Sequence, residues 1–148
     1  MTESLRWMTL ALVFAIATPA PVTPQEEGWL SYFPSVVRLR GKVTTVTKYG
    51  KPTYGENPEK DEKLEVPILI LQTPIRVKAN PISSANNESI TNISFVQLIF
   101  PPEADADFKK HIDHNILVAG TLSVGSRSGQ FTDVVLTVKA INPTGKPF

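Results

Sequence analysis

Ile116 to Leu122 (ILVAGTL), the polar stretch Ser123 to Asp133 (SVGSRSGQFTD) and Val134 to Ile141 (VVLTVKAI) decide how this chain folds. Two runs rich in β-branched residues, joined by a loop of Gly, Ser and Asp, read as a strand hairpin. Gly120 sits inside the first run, where a missing side chain eases a bend or a bulge. Just upstream, Glu103 to Asp113 places Phe108 and Ile112 four residues apart. That spacing predicts a short helix of about two to three turns with both side chains on the core. Its acids Glu103, Asp105 and Asp107 suit the helix N-terminus.

Working further back, Phe95 to Phe100 (FVQLIF) reads as a strand closed by Pro101-Pro102, and Asn80 to Asn92 has the composition of an exposed loop. Leu64 to Leu71 (LEVPILIL) is a strand apolar on both faces, in which Pro67 restricts pairing to an edge or a bulge. Pro74 to Lys78 either continues it or begins another. A polar connection, Tyr49 to Lys63, separates it from Val36 to Val46, where Val37, Leu39, Gly41 and Val43 alternate with Arg38, Arg40, Lys42 and Thr44. Gly41 again marks a mid-strand bend. Three strands, a short helix and two strands is the order of a small five-stranded OB-like Greek-key barrel, whose helix lies between strands three and four. The expectation is therefore an all-β domain of this kind. A small open β-sandwich uses the same elements, but the helix interval and the mid-strand glycines favour the barrel.

The chain of 148 residues suits one domain. A net charge of +1 supplies no global field for nucleic acid or acidic membrane, so any basic surface must be local. The absence of cysteine excludes disulfides, thiolate metal sites, cysteine nucleophiles and lipidated-cysteine anchors. Thirteen prolines argue against long helices.

Residues 1–17 read as a signal peptide: Arg6 supplies the positive start, Trp7 to Ala17 is uncharged and apolar, and Ala15 and Ala17 are small residues before a cut. Cleavage after Ala20 is the alternative, but it would leave Pro21 next to the cut. The apolar run of 11 residues is shorter than the roughly 20 that span a bilayer as a helix. Residues 18–35 are expected to be a Pro-rich lead, and 36–148 the barrel domain, in a periplasmic or secreted protein.

The loop Tyr49 to Pro58 (YGKPTYGENP), followed by an apolar strand and later by HIDHNILVAGTL, resembles a family of small bacterial secreted proteins known as a domain of unknown function. The likeness extends over about Val36 to Ile141. It implies export and the barrel, and brings no catalytic residue or cofactor. Members of that family often carry histidines in the last hairpin loop, where this chain has Ser126 to Gln130, which disfavours a metal there.

The residues offer little reaction chemistry. His111, Asp113 and His114 cluster, but the chain there is expected to turn, which separates potential ligands and leaves a polar helix end. Gly125 to Gly129 (GSRSG) lacks the serine-centred pattern of a nucleophile elbow. Glu56, Glu59, Asp61 and Glu62 read as a solvated acidic loop rather than a catalytic pair. No cofactor is implied. The basic stripe Arg38, Arg40, Lys42 and Lys48 has no aromatic residues interleaved along the strand, which disfavours single-stranded nucleic acid. The candidate binding residues are Tyr49, Tyr54 and Glu56 in the first long loop, Arg127 and Phe131 in the last, and Arg38 and Arg40 on the first strand. Barrels of this type clasp ligands between those two loops. The leading expectation is a non-enzymatic module that binds a partner protein, as an inhibitor or immunity-type partner would. A small ligand or cell-wall glycan comes second, and an envelope hydrolase third.

Overall fold

In the computed structural model, residues 28–102 and 108–143 are described; the segment 1–27, which holds the expected signal peptide and most of the expected lead, lies outside them. The strands are β1 (Trp29–Ser31), β2 (Val36–Tyr49), β3 (Lys63–Lys78), β4 (Ile90–Ile99), β5 (Asn115–Val124) and β6 (Val134–Asn142). Five of them close a barrel: β2 pairs with β3, β3 with β4, β4 with β6, β6 with β5, and β5 with β2. All contacts in the ring are antiparallel except β4 with β6, which is parallel. The closed five-stranded β-barrel follows the expectation from the element order, and β1 adds a sixth strand beside it.

β2 serves both halves of the barrel, and Gly41 is where it passes between them: Gly41 pairs with Leu71 of β3 on one side and with Ile116 of β5 on the other. A Cβ on Gly41 would run into the carbonyl oxygen of Ile70, so only glycine lets the strands approach this closely. Gly120 plays the same part against the Thr137 carbonyl, at a register shift between β5 and β6. β3 runs without interruption through Pro74 to Lys78, with register shifts against β4 on either side of Ile75. The ladder between β3 and β4 begins at Ile68, next to Pro67.

The interior is filled from every strand of the ring, including Leu39, Val43, Leu69, Leu71, Val96, Leu98, Ile116, Val118, Leu122, Leu136 and Val138. Each buried side chain of this size stabilises the fold by roughly 1.5–3 kcal/mol relative to exposure.

Part of the segment read as a lead belongs to the folded body. β1 runs parallel to the end of β3, pairing Trp29 with Arg76, and the Arg76 guanidinium lies 5.1 Å from the centre of the Trp29 ring. Tyr32 follows, buried in the core, and its hydroxyl donates to the Glu88 carbonyl at 3.0 Å. Burial, with a smaller contribution from the Glu88 charge, pushes its pKa up to about 12.

The expected helix needs correction. Among the described residues, the interval between β4 and β5 holds one 3-10 turn, Phe108–His111, and no α-helix; Glu103 to Asp107 lie outside the described residues. Phe108 is buried as expected and stacks on Phe100 with ring centres 5.2 Å apart. Beyond His111 the backbone joins β2 instead: Asp113 N–H donates to the Val43 carbonyl at 2.8 Å, and Val43 N–H donates to the His114 carbonyl at 3.1 Å. Asp113 turns through a positive φ of 66° to do so. Strand-like pairing with β2 therefore ends the helical turn before Ile112 can join it.

Candidate functional site

Two loops meet over one side of the barrel. The first spans 50–62, between β2 and β3, and is organised around the Asp61 carboxylate. Its Oδ1 accepts from Thr53 N–H at 2.6 Å and its Oδ2 from Gly55 N–H at 2.6 Å, and the Thr53 hydroxyl lies 2.8 Å from both oxygens. The same hydroxyl oxygen accepts from Asn57 N–H at 2.8 Å. Burial opposes ionisation of Asp61, but the two backbone donors and the Thr53 hydroxyl outweigh it and hold its pKa below the usual 3.8. Asp61 is 8% exposed, so the reading of this loop's acids as solvated fails for the one that builds it. The base of the loop is closed by Gly50 N–H to the Glu62 carbonyl at 2.8 Å and Glu62 N–H to the Lys51 carbonyl at 2.9 Å.

Those bonds put Tyr54 in an unusual state. It has φ +53°, a left-handed conformation uncommon for a bulky residue, and its side chain is 62% exposed. Gly55 follows with φ +102°, which glycine accepts without strain.

The second loop, 125–133, joins β5 to β6 and is held from outside by Gln97 of β4. The Gln97 amide donates Nε2 to the Gly129 carbonyl at 2.8 Å and accepts Phe131 N–H on Oε1 at 2.8 Å. Its backbone N–H donates to the Thr132 hydroxyl at 3.1 Å, which in turn donates to the Val134 carbonyl at 2.6 Å. Gln97 is 4% exposed, and its position fixes Phe131 beside β2. Lys48 Nζ sits 5.8 Å from the centre of the Phe131 ring, a cation–π arrangement. Sequence reading missed Gln97; the signal was one amide inside the apolar run Phe95 to Phe100.

Between the loops lies a cleft of about 530 Å³ lined by Tyr49, Lys51, Tyr54, Glu62, Arg127 and Phe131, among others. Four of the seven candidate residues, Tyr49, Tyr54, Arg127 and Phe131, thus come together. Glu56 does not line the cleft, although its N–H bonds the Thr53 carbonyl at 3.3 Å within the first loop. Arg38 and Arg40 stand on the outer face of β2 where it pairs with β5, opposite Ala119 and Leu117, and line neither the cleft nor the trough beside it.

That trough, about 460 Å³, lies on the outer face of β2, β3 and β4. Val66 and Ile68 form a buried floor, while Val46, Ile70, Phe95 and Phe131 stand 38–54% exposed around it. Phe131 lines both hollows and joins them. The expectation of a basic stripe without aromatics holds along β2 alone; in space, β4 and the second loop bring Phe95 and Phe131 beside it.

Two side chains of the histidine cluster have partners of their own. Asp113 Oδ1 lies 3.5 Å from Lys42 Nζ, and His114 Nδ1 is 2.9 Å from the Ile112 carbonyl. Among the described residues, no group of three His, Cys, Asp or Glu side chains is placed to hold a metal ion, and no helix is long and apolar enough to cross a membrane. Ser126 and Ser128 belong to a hairpin loop in which Gln130 Oε1 accepts from Arg127 N–H at 2.9 Å. No protein-family profile matches this chain, and no curated protein matches it either.

Proposed function

We propose that this chain is an exported binding module of the OB type, without catalytic activity, that recognises a partner protein through the cleft between its two loops. The observation that carries the reading is the convergence of Tyr49, Tyr54, Arg127 and Phe131 on one concave surface that continues into an exposed apolar trough. Aromatic side chains and arginine supply large contact area at low entropy cost, and exposed apolar patches of this kind mark interaction surfaces. Each loop is pre-ordered by hydrogen bonds, the first to its own Asp61 and the second to Gln97 of β4, which lowers the cost of binding. The perturbed carboxylate in the region, Asp61, spends its oxygens on Thr53 and Gly55 and has none facing a substrate, which supports binding over hydrolysis.

The test is a pull-down from envelope extract with the tagged full-length chain beside a folded Tyr49→Ala, Tyr54→Ala double variant. Retention of one protein by the wild type alone supports the reading. Equal retention by both places recognition elsewhere, and no retention turns the search to cell-wall glycans. Export is tested by the mass of the protein from the envelope fraction, expected to begin at Thr18; an intact Met1 there removes it.

A further inference from the structure

Resting on the partner-protein reading, we infer that the trough and cleft together seat an extended, acidic segment of that partner, with aliphatic or aromatic side chains entering the trough and carboxylates meeting Lys48, Lys51 and Arg127. Three features select this occupant. The trough floor and walls are aliphatic at Val46, Val66, Ile68 and Ile70, with Phe95 and Phe131 at the sides. Such a floor takes side chains from a polypeptide; with Phe95 and Phe131 only at its sides it lacks a continuous run of aromatic faces for stacked bases, and its polar groups, at Thr44, Lys48, Ser94 and Thr132, are too few for a glycan's hydroxyls.

The charge around it is predominantly positive. Lys48 is the charged residue of the trough, and the cleft adds Lys51 and Arg127 against the single carboxylate of Glu62. A partner segment carrying acids is thus matched, and a basic one is rejected. A second copy of this chain laid face to face would set these cations against one another.

The dimensions agree with an extended chain. From Thr44 in the trough to Tyr49 in the cleft β2 advances five residues, about 17 Å, the span of five residues of an incoming strand-like segment. Alternate side chains of such a segment would face the apolar floor, leaving the others at the cationic margin.

The experiment selects phage-displayed random dodecapeptides on the full-length chain, then measures the enriched peptides by fluorescence anisotropy. The expected winners alternate apolar residues with Asp or Glu. Phe95→Ser and the pair Lys48→Glu, Arg127→Glu should each weaken binding by about tenfold. The charge-reversed protein should regain affinity for the same peptide with lysine in place of its acids. Ile82→Ser, at a side chain 95% exposed in the loop after β3, should change nothing. Ile70→Thr serves in place of Phe95→Ser if that variant loses its thermal transition. Enrichment of basic or uncharged peptides overturns the inference, as does no enrichment. It is equally overturned if labelled oligothymidylate displaces the peptide, or if the chain dimerises through a contact that Phe95→Ser abolishes. A partner recovered in the pull-down through Tyr49 and Tyr54, with no acidic peptide selected, would leave the binding module standing and remove only this occupant.

Discussion

The two loops that frame the cleft are ordered by opposite means. Loop 50–62 carries its own organiser: Asp61 collects Thr53 and Gly55, and every partner lies within eight residues of it. Loop 125–133 is held by Gln97, which is 32 and 34 residues away from Gly129 and Phe131. The first is a self-contained scaffold that presents Tyr54, and the second is docked on the barrel and presents Phe131. A cleft with one self-ordered wall and one docked wall should therefore fail in two separable ways.

The largest effect is expected from Asp61→Ala. It removes bonds from two backbone donors and one hydroxyl to a charged acceptor, each about twice as strong as its neutral counterpart. The amides of Thr53 and Gly55 should lose hydrogen-exchange protection while those of loop 125–133 keep theirs, so equal loss in both loops would end the claim of independence. Acid should reproduce the effect. Because the folded pKa of Asp61 lies below 3.8, its contribution is fully present above that value and is lost as the pH falls through the lowered pKa. In an NMR titration from pH 5 downward, the Thr53 and Gly55 amides should move with the carboxyl, and the Phe131 amide should not.

This contrast also explains what the sequence could disclose. The barrel was legible because its signals are local: alternation in Val36 to Val46, apolar runs at Leu64 to Leu71 and Val134 to Ile141, and glycines at 41 and 120 where strands must bend. Tyr49, Tyr54, Arg127 and Phe131 were legible because the element order says which loops face each other. Gln97 was not, since nothing in its own strand tells that a loop more than 30 residues on will bond to it. Asp61 was hidden among Glu56, Glu59 and Glu62, which share its charge but not its position relative to Thr53. Trp29 to Tyr32 looked like an extension of the Pro-rich segment, because a three-residue strand is too short to show a period. The helix expected over Glu103 to Asp113 is replaced, in the described part from Phe108 on, by a 3-10 turn, since the spacing of Phe108 and Ile112 cannot reveal that Val43 competes for the backbone of Asp113 and His114.

An intermediate effect is expected from Gln97→Leu. The substitution keeps the volume but leaves the Phe131 N–H and the Gly129 carbonyl without their partner, at a cost of about 1–3 kcal/mol. Chemical denaturation measures the cost. Here the loss of protection should fall on loop 125–133, with Thr53 and Gly55 unchanged, the mirror image of Asp61→Ala. Peptide or partner binding should weaken in step, because Phe131 forms a wall of both hollows. A stability loss with binding intact would mean that Phe131 finds its place without Gln97.

The smallest effect separates scaffold from function at Tyr54. Its left-handed backbone costs a non-glycine residue about 1–2 kcal/mol, and glycine gives back about 0.5–1 kcal/mol of that advantage through chain entropy. Tyr54→Gly should therefore stabilise the protein by roughly 0.5–1 kcal/mol, a rise of about 2–4 °C in thermal midpoint. Tyr54→Ala keeps the strain and removes the ring, so it should leave the midpoint near the wild-type value, given that the side chain is 62% exposed. Both variants should lose binding. A more stable, non-binding Tyr54→Gly protein means that the first loop holds a strained residue for the sake of the ring it presents. If both variants instead lower the midpoint by several degrees, the ring is packing the loop, and recognition in the cleft passes to Tyr49, Arg127 and Phe131.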